Sequence, residues 1–514
     1  MNLSPTLFLE RAEAAFPERT AVVDGALVLT YRALADRARR VAGALYEAGV
    51  GEGDRVAVLC TNSHVMLEVH NGIPMAGAVL VPLNIRLSVD ELAYMLRHSD
   101  ARVLIVTEEF ADKARDVASR LDIRVIESGP DSEYERLLDT AIPRSMPCKD
   151  EQSLLAISYT SGSTGRPKGV MYSHRGAYLQ GLAMAYHSRF GFESVYLWTL
   201  PMFHCNGWAC TWAVTAGGGT HLCQRRIDPV EIWSAICTQG VTHLSGAPTV
   251  LTMLAEAADS APSLRPAQPV AAAIGGAPPS PVLLERLAAL NISVTHFYGL
   301  TETYGPAVVN QWQPEWSSKD AAAQARLTAR QGIGNIVTGA LSVIDPDGRK
   351  VPSDGLTTGE IVVSGNNVML GYYLDDEATA AASIDGWFRT GDIGVRHPDG
   401  YIELRDRVKD IIISGGENIA SVEIEQILLR HPSVLEVAVV GRPDDHWGEV
   451  PVAFVTPKPG VRADADTLIA FVREQVAGFK VPKAIFFREL PKTSTGKIEK
   501  HRLRAELGAS SGTL

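Results

Sequence analysis

The amino-acid sequence predicts an α/β protein. We expect a large N-terminal domain of two layered α/β subdomains and a small β-barrel-like subdomain, followed by a small α+β C-terminal domain. The chain has 514 residues, and a single hydrophobic core stops growing at about 250–300 residues. Strand-like and helix-like segments alternate up to residue 300, which is typical of parallel α/β layers. The helical pattern then thins out between residues 330 and 406.

The first layered subdomain covers residues 1 to about 150. Strands are predicted at 21–24, 27–31, 55–60, 78–82 and 101–107, and helices at 31–47 and 90–98. Their alternation favours a parallel sheet with helices on its faces.

The second layered subdomain contains four apolar segments that each end in small or polar residues. These segments are 197–208, 241–248, 270–279 and 294–302. Because the carboxyl ends of parallel strands meet at one edge of a sheet, the four ends would line one crevice. The sequence therefore predicts the active site at this edge.

The remaining chain predicts two smaller units joined by a charged segment. Short strands separated by Asp, Asn, Pro and Gly turns indicate a barrel-like antiparallel unit at 330–406. The last hundred residues form a separate α+β unit. A short charged segment between a large and a small unit is typical of a hinge. We expect domains at 1–405 and 411–514, with the hinge at 406–410.

The composition excludes several classes of protein. The net charge of −11 gives no support for nucleic-acid binding. The six cysteines show no metal-ligand spacing, which favours a reduced, cytoplasmic protein. The N-terminus lacks a signal-peptide pattern, and no apolar run reaches the roughly 18 residues of a membrane span. The oligomeric state is not encoded in these features, and a homodimer is only the commonest default.

Residues 159–169 form the most distinctive segment of the sequence. Threonines, serines and glycines fill positions 160–165, and Arg166, Pro167 and Lys168 follow. Glycines let backbone N–H groups turn inward, and such a concave arrangement of donors suits a phosphate chain. The spacing is not that of the common phosphate-binding loop. An ordinary polar turn is the alternative interpretation.

The chain resembles the adenylate-forming superfamily, which includes acyl-CoA synthetases, luciferases and the adenylation domains of peptide synthetases. Six motifs carry the resemblance, in the family's order: 159–169, 298–303, 389–392, 406–407, 414–418 and 491–497. The resemblance extends from about residue 10 to residue 505. Residues 201–208 further resemble acyl-activating enzymes for short-chain, medium-chain or aromatic acids, whose acceptor is usually coenzyme A.

This resemblance implies a two-step reaction with ATP, Mg²⁺ and coenzyme A. A carboxylate attacks the α-phosphate of ATP, giving an acyl-adenylate and pyrophosphate, and the thiol of coenzyme A then displaces AMP. Catalysis of the first step depends on positioning and on stabilisation of negative charge. No protein nucleophile is needed.

The resemblance also assigns roles to individual residues. The β- and γ-phosphates would be bound by Thr160, Ser161, Gly162, Ser163, Thr164, Gly165 and Lys168. Adenine would lie between Gly276, Ala277 and Pro278 on one side and Tyr298 and Gly299 on the other. Thr301 would contact the α-phosphate, and Glu302 would hold Mg²⁺. Asp392, assisted by Arg407, would accept hydrogen bonds from the ribose. Taken alone, each charged residue would more often be a solvated surface charge.

Further assignments concern the C-terminal domain. Lys497 would stabilise the transition state of the first step, so this domain must be mobile and close onto the large one. The residues expected to face the thioester site in a second orientation are Ser414, Gly415, Gly416 and Glu417. Lys409 matches the family's hinge position, and a plain salt bridge is the alternative role for it.

Four residues are candidates for the acyl pocket: His204, Trp208, Ala247 and Gly275. His204 would act as an aromatic gate that can also steer the substrate carboxylate. A buried structural histidine is the rival interpretation. Trp208 is equally well explained as core packing.

Two alternative functions stay open at this point. The acceptor could be a carrier-protein thiol, or nitrite in diazo formation, because the ATP motifs do not define the acceptor. The chain could also be a non-catalytic ATP-binding regulator, although the combination of Lys497, Glu302 and Thr301 argues against that reading.

Overall fold

The computed structural model describes residues 1–160, 166–277, 279–407, 409–415, 417–444, 446–493 and 498–509. Within these ranges the strands form four sheets. Two large sheets are mostly parallel, and two small ones are mostly antiparallel.

The largest sheet has nine strands, in the order β15-β14-β13-β12-β11-β9-β10-β1-β2. Numbered in chain order, they are β1 (Thr20–Asp24), β2 (Leu27–Thr30), β9 (Val195–Leu197), β10 (Thr220–Leu222), β11 (His243–Gly246), β12 (Val270–Ile274), β13 (Ile292–Leu300), β14 (Gly305–Val309) and β15 (Ile333–Gly334). Strands β9, β11, β12 and β13 are parallel neighbours. The four predicted strand ends therefore do meet at one edge.

The second sheet has seven strands, in the order β18-β8-β7-β4-β3-β5-β6. They are β3 (Arg55–Leu59), β4 (Val79–Pro82), β5 (Ala101–Thr107), β6 (Arg124–Ser128), β7 (Leu154–Thr160), β8 (Lys168–Ser173) and β18 (Gly371–Tyr372). Strands β7 and β8 pair in antiparallel register, with Thr160 opposite Lys168. The segment predicted to bind phosphate thus connects the two strands of a hairpin.

The third sheet corresponds to the predicted barrel-like unit. Its antiparallel strands are β16 (Ala340–Ile344), β17 (Thr358–Ser364), β19 (Ser383–Ile384), β20 (Trp387–Arg396) and β21 (Ile402–Arg407). The fourth sheet contains β22 (Ile412–Ser414), β23 (Glu417–Ile419), β24 (Val434–Asp444), β25 (Gly448–Pro457) and β26 (Ile485–Phe487). The change from one sheet to the next falls between residues 407 and 412.

The α-helices are α1 (Thr6–Ala15), α2 (Tyr31–Glu47), α3 (His64–Met75), α4 (Val89–Ser99), α5 (Ala111–Ala118), α6 (Glu133–Thr140), α7 (His174–His187), α8 (Cys205–Trp208), α9 (Cys210–Gly217), α10 (Pro229–Thr238), α11 (Pro248–Ser260), α12 (Pro281–Ala289), α13 (Ala321–Ala329), α14 (Asp376–Ala381), α15 (Ser421–Leu429), α16 (Ala465–Arg473) and α17 (Lys500–Ala509). Short 3₁₀ helices lie at Glu108–Phe110, Thr301–Thr303, Pro314–Ser318 and Gly478–Lys480.

Local sequence signals place some of these boundaries. The hydroxyl of Ser88 accepts a hydrogen bond from the backbone of Glu91, whose carboxylate accepts one from the Ser88 backbone. This reciprocal capping gives partners to two backbone N–H groups at the start of α4 that would otherwise be unpaired, so the helix begins here. No helix among the described residues is long and apolar enough to cross a membrane.

One hydrophobic cluster includes buried residues from both large sheets. Val22 of β1, Val58 of β3 and Trp212 of α9 belong to it, together with residues of α2 and α3. Close packing of such a shared core fixes the strand ends of the two sheets relative to each other.

Candidate active site

At the strand ends, a hydrogen bond joins β7 of one large sheet to the turn that follows β9 of the other. Ser158, near the end of β7, donates to Oδ1 of Asn206 at 2.9 Å, and both residues are buried. Asn206 belongs to the turn that follows β9 and carries predicted acyl-pocket residues. This bond connects the β7–β8 hairpin predicted to bind phosphate (the phosphate hairpin) to residues 205–209, which carry predicted acyl-pocket residues (the acyl-pocket turn).

Lys168 is the first residue of β8 rather than a loop residue. Its Nζ lies 4.8 Å from the ring centre of Tyr372 and 3.9 Å from Oδ2 of Asp375. Its side chain is about one-quarter exposed. The ammonium group therefore stands at the base of the hairpin that is predicted to bind phosphate.

Thr301 and Glu302 form a single turn directly after β13. The hydroxyl of Tyr172 donates to the Thr301 carbonyl at 2.7 Å. The hydroxyl of Tyr372 donates to Oε1 of Glu302 at 2.8 Å, and the backbone N–H of Met369 donates to the Glu302 carbonyl at 2.8 Å. These bonds fix both the backbone of the turn and the carboxylate.

The carboxylate of Glu302 is fixed beside the hairpin predicted to bind phosphate, and this arrangement fits Mg²⁺. This ion prefers oxygen ligands and is usually held by one or two carboxylates plus substrate phosphates. Glu302 offers its second oxygen, Oε2, and the rest of the coordination would come from phosphate oxygens and water. No group of three His, Cys, Asp or Glu side chains within the described ranges could hold a metal ion.

Asp392 lies in β20 opposite Arg407 of β21. Its Oδ2 accepts a hydrogen bond from the Tyr298 hydroxyl at 2.7 Å, and its Oδ1 lies 3.2 Å from Nε of Arg407. Desolvation of the phenol and the negative charge of Asp392 raise the pKa of Tyr298 well above its usual value, so this phenol remains a donor. The three predicted nucleotide-binding residues are therefore in direct contact.

The acyl-pocket turn, which contains the short α8, is a left-handed turn and not a regular right-handed helix. Cys205, Asn206, Gly207, Trp208 and Ala209 all have φ between +44° and +60°. Only glycine adopts this left-handed region without cost, and other residues are strained there. A run of strained residues persists where surrounding structure holds it, and such strain clusters at functional sites.

Trp208 is held in this turn between two glycines. A Cβ atom at Gly275 would lie 2.7 Å from Cη2 of Trp208, and one at Gly305 would lie 3.2 Å from its Cδ1. The side chain is only 6% exposed. Gly275 follows β12 and donates its N–H to Gly246, the residue before Ala247. The predicted pocket residues Trp208, Ala247 and Gly275 thus come from neighbouring strand ends.

Cys205 connects the acyl-pocket turn to the phosphate side of the crevice. Its Sγ lies 3.5 Å from Oγ1 of Thr301 and 4.0 Å from Nε2 of His204. Burial raises the pKa of Cys205 to about 12, so the thiol stays neutral. His204 is half-buried, which agrees better with a position at the edge of the pocket than with a core histidine.

Gly276 and Ala277 follow β12, and Gly299 lies near the end of β13, where it pairs with Pro306 of β14. Gly276 and Ala277 are exposed. A Cβ atom at Gly299 would lie 1.9 Å from the Gly305 carbonyl oxygen, so the close pairing of β13 and β14 requires glycine here.

Two family models match the chain. One, described as AMP-binding enzyme, matches residues 9–373, and the other, described as AMP-binding enzyme C-terminal domain, matches residues 423–497. The chain belongs to the AMP-binding enzyme family. The predicted family resemblance is confirmed.

Curated relatives in this AMP-binding enzyme family cover nearly the whole chain. An acetate–CoA ligase of Humulus lupulus is 42% identical over 99% of this chain and 95% of its own length. The 4-hydroxybutyrate–CoA ligase 2 of Metallosphaera sedula is 40% identical, with 99% and 95% covered.

Solved structures confirm the predicted fold class. ATP-bound MatB from Rhodopseudomonas palustris has a TM-score of 0.86 at 28% identity, covering 98% of this chain and 99% of that one. The o-succinylbenzoate CoA synthetase MenE of Bacillus subtilis, in complex with its acyl-adenylate intermediate, has a TM-score of 0.83 at 28% identity, with 97% of each chain covered.

The residues predicted to face the acceptor lie around the ends of β22 and β23. Ser414 is buried at the end of β22, and Gly415 has a φ of +61° beneath the Trp447 ring. Glu417 and Lys409 are exposed. Within the described ranges no ion pair involves Lys409, so the salt-bridge alternative gains no support.

Several predicted residues lie outside the described residues: Ser161, Gly162, Ser163, Thr164, Gly165, Pro278, Gly416 and Lys497. Thr160, at the end of β7, is described and half-buried.

Sequence reasoning missed the residues that hold the predicted groups in place. Tyr172 and Tyr372 orient Thr301 and Glu302, and Asn206 receives the bond from Ser158. None of them has a motif-like spacing. Their partners lie between 48 and 129 positions away along the chain, so only the fold reveals them.

Proposed function

We propose that this AMP-binding enzyme is an AMP-forming acid–CoA ligase. It would join a carboxylic acid to ATP, releasing pyrophosphate, and then transfer the acyl group to the thiol of coenzyme A, releasing AMP. The observation that carries the proposal is that Tyr372 contacts both Lys168 and Glu302. Its ring lies beneath the Lys168 ammonium, and its hydroxyl donates to the Glu302 carboxylate. These contacts set a phosphate-binding cation beside a carboxylate suited to Mg²⁺ at the mouth of one crevice.

In the first step, the roles of the described residues follow from their positions. Lys168, with the hairpin segment that it closes, would bind the β- and γ-phosphates, and Thr301 would donate its hydroxyl to the α-phosphate. Asp392 would accept hydrogen bonds from the ribose hydroxyls beside Arg407. Mg²⁺, when bound at Glu302, would neutralise charge on the phosphates. The acid's carboxylate oxygen forms a bond to the α-phosphorus while the bond to pyrophosphate breaks.

The acid would enter beneath Trp208. Because a buried indole fills the space next to Gly275, the pocket should admit short acyl chains and reject long ones. The names of the relatives support this, since they include ligases for acetate, butyrate and 2-methylpropanoate. Relatives named for larger acids, such as trans-cinnamate, make the pocket depth the point to test.

The second step would use the C-terminal domain in a different orientation. We propose that Lys497 serves the first step and that residues 414–417 serve the second, with Lys409 at the hinge and the domain boundaries at 405 and 411. The thiolate sulfur of coenzyme A attacks the acyl carbonyl, and the bond to AMP breaks. A cytoplasmic location remains a prediction, since some relatives are named as peroxisomal. A homodimer is likewise a prediction.

The test is pyrophosphate release with a panel of acids from acetate to octanoate and benzoate, with and without coenzyme A, and with nitrite as a separate acceptor. We expect a thioester and AMP in equal amounts for a short acid. AMP formation without any thioester in the coenzyme A arm would refute the proposed acceptor. No acid-dependent pyrophosphate in any arm would refute the ligase itself.

A further inference from the structure

A short segment, residues 369–373, ties together the two sides of the phosphate site. The N–H of Leu370 donates to the Met171 carbonyl at 2.9 Å, and that of Tyr373 donates to the Gly169 carbonyl at 2.7 Å. Both acceptors belong to β8, which begins at Lys168. The N–H of Met369 donates to the carbonyl of Glu302. The segment therefore joins the phosphate hairpin to the turn after β13.

Tyr372 is the residue of this segment that contacts functional groups on both sides. Its hydroxyl donates to Oε1 of Glu302 at 2.8 Å, and its ring centre lies 4.8 Å from Nζ of Lys168. The residue is 9% exposed. Its own N–H donates to the Thr379 hydroxyl at 2.9 Å, so both backbone and side chain are fixed.

We propose that Tyr372 is a positioning residue that couples the phosphate-binding Lys168 to the metal-binding carboxylate of Glu302. This inference rests on the proposed function for the roles of those two residues. Tyr372 itself would touch neither ATP nor the acid.

The carboxylate side of the coupling follows from geometry. Oε1 of Glu302 accepts the phenol hydrogen bond, which stops rotation of the carboxylate and leaves Oε2 for Mg²⁺. A hydrogen bond to an ionised acceptor is among the stronger kinds in proteins. The rotational freedom of Glu302 is thus removed before the metal arrives, which favours metal binding.

The role of Tyr372 towards Lys168 follows from the two groups that attract the ammonium, Asp375 and the Tyr372 ring. Asp375 stands 3.9 Å from the Lys168 ammonium and would attract it away from a phosphate chain. The face of an aromatic ring attracts a cation without neutralising it. The Tyr372 ring thus holds the Lys168 ammonium without neutralising it, so that it stays available to an incoming phosphate.

Two substitutions separate the two contacts. Tyr372→Phe removes only the hydroxyl bound to Glu302, and Tyr372→Leu also removes the ring beneath Lys168. The control is Tyr134→Phe, because the buried Tyr134 hydroxyl donates to Oε2 of the buried Glu68 at 2.6 Å. This pair has the same chemistry, and Arg37 joins it to Glu135 rather than to any predicted site residue.

The measurement is the rise in thermal unfolding temperature caused by ATP at increasing Mg²⁺ concentration, without acid or coenzyme A. For Tyr372→Phe we expect the Mg²⁺ concentration for the half-maximal rise to increase by roughly tenfold, the scale of a lost hydrogen bond to a charged group. The effect of ATP in EDTA should be unchanged. For Tyr372→Leu the effect of ATP in EDTA should also weaken. Tyr134→Phe should lower the unfolding temperature without changing either response.

Two results would overturn the inference. One is an unchanged Mg²⁺ requirement in Tyr372→Phe. The other is a lower requirement, which would mean that the phenol competes with the metal for Glu302. Because this readout needs no turnover, it is separate from the proposed ligase activity. If the wild-type protein binds Mg²⁺ and ATP but forms no adenylate, the proposed function fails and the positioning role of Tyr372 stands.

Discussion

Replacing Trp208 with leucine should lengthen the acyl chain that the enzyme accepts. The indole lies against Gly275 and Gly305, and both glycines lack the side chain that would collide with it. Leucine is smaller and flexible, so the space now taken by the indole would open towards the acid.

The size of the effect follows from the burial of methylene groups. Each additional buried CH₂ is worth about 0.8 kcal/mol, so the two further methylenes of hexanoate over butyrate are worth about 1.6 kcal/mol. Since 1.4 kcal/mol corresponds to a factor of ten, kcat/KM for hexanoate relative to butyrate should rise by about fifteenfold. The loss of stability should stay below the roughly 3–5 kcal/mol typical of a Trp-to-Ala truncation.

The assay is acid-dependent pyrophosphate release at subsaturating acid, for both acids and both proteins. The matched control is Trp233→Leu, since Trp233 is 1% exposed in α10 and belongs to a separate hydrophobic cluster. It should lose stability and keep the wild-type preference. An unchanged hexanoate-to-butyrate ratio in Trp208→Leu, or the same change in Trp233→Leu, would refute the assignment of Trp208 to the acyl pocket.

Three further predictions concern the nucleotide site, the backbone and pH. Asp392→Asn removes the charge facing Arg407 and should raise the KM for ATP at least about tenfold, on the scale of hydrogen bonds to charged groups. The KM for the acid should change little, and an equal rise in both KM values would contradict the ribose role. Gly299→Ala forces a Cβ to 1.9 Å from a backbone oxygen and should lower the free energy of unfolding, measured in urea, by about 3 kcal/mol or more. In the control Gly246→Ala the nearest atoms to the new Cβ are side-chain atoms at 3.5 Å, so its free energy of unfolding should fall far less. Burial lowers the pKa of His221 from 6.5 to about 3, so the unfolded chain binds a proton that the folded chain does not, and stability falls as pH drops below 6.5. His221→Gln should reduce that slope by up to about 1.4 kcal/mol per pH unit; an unchanged slope between pH 6 and pH 4 would contradict the depressed pKa.

The parallel strands around the crevice were predictable because their signals are local. Apolar runs that end in Gly or Pro place the ends of β11 and β12, and regular alternation with helices predicts that such strands are neighbours. Strand β20 was missed. Its sequence contains Gly391 and Asp392, residue types that are depleted in strands, and pairing with β17 and β21 makes it a strand.

Other features depend on tertiary structure alone. The left-handed turn at residues 205–209 contains four residues other than glycine, so propensity argues against it, and packing of Trp208 between two glycines outweighs that cost. The role of Tyr372 likewise could not be predicted from the sequence, because its partner Glu302 lies 70 positions away. The motifs therefore predicted the groups expected to touch substrate, and the fold supplied the groups that hold them.

The most direct test of the central claim is the fate of the acid's oxygen. A short acid labelled with ¹⁸O in both carboxylate positions is incubated with enzyme, ATP, Mg²⁺ and coenzyme A, and the products are analysed by mass spectrometry. If the carboxylate attacks the α-phosphorus, one ¹⁸O appears in each AMP, the other stays in the thioester, and pyrophosphate is unlabelled. Label in pyrophosphate or inorganic phosphate, or unlabelled AMP formed together with thioester, would contradict the account.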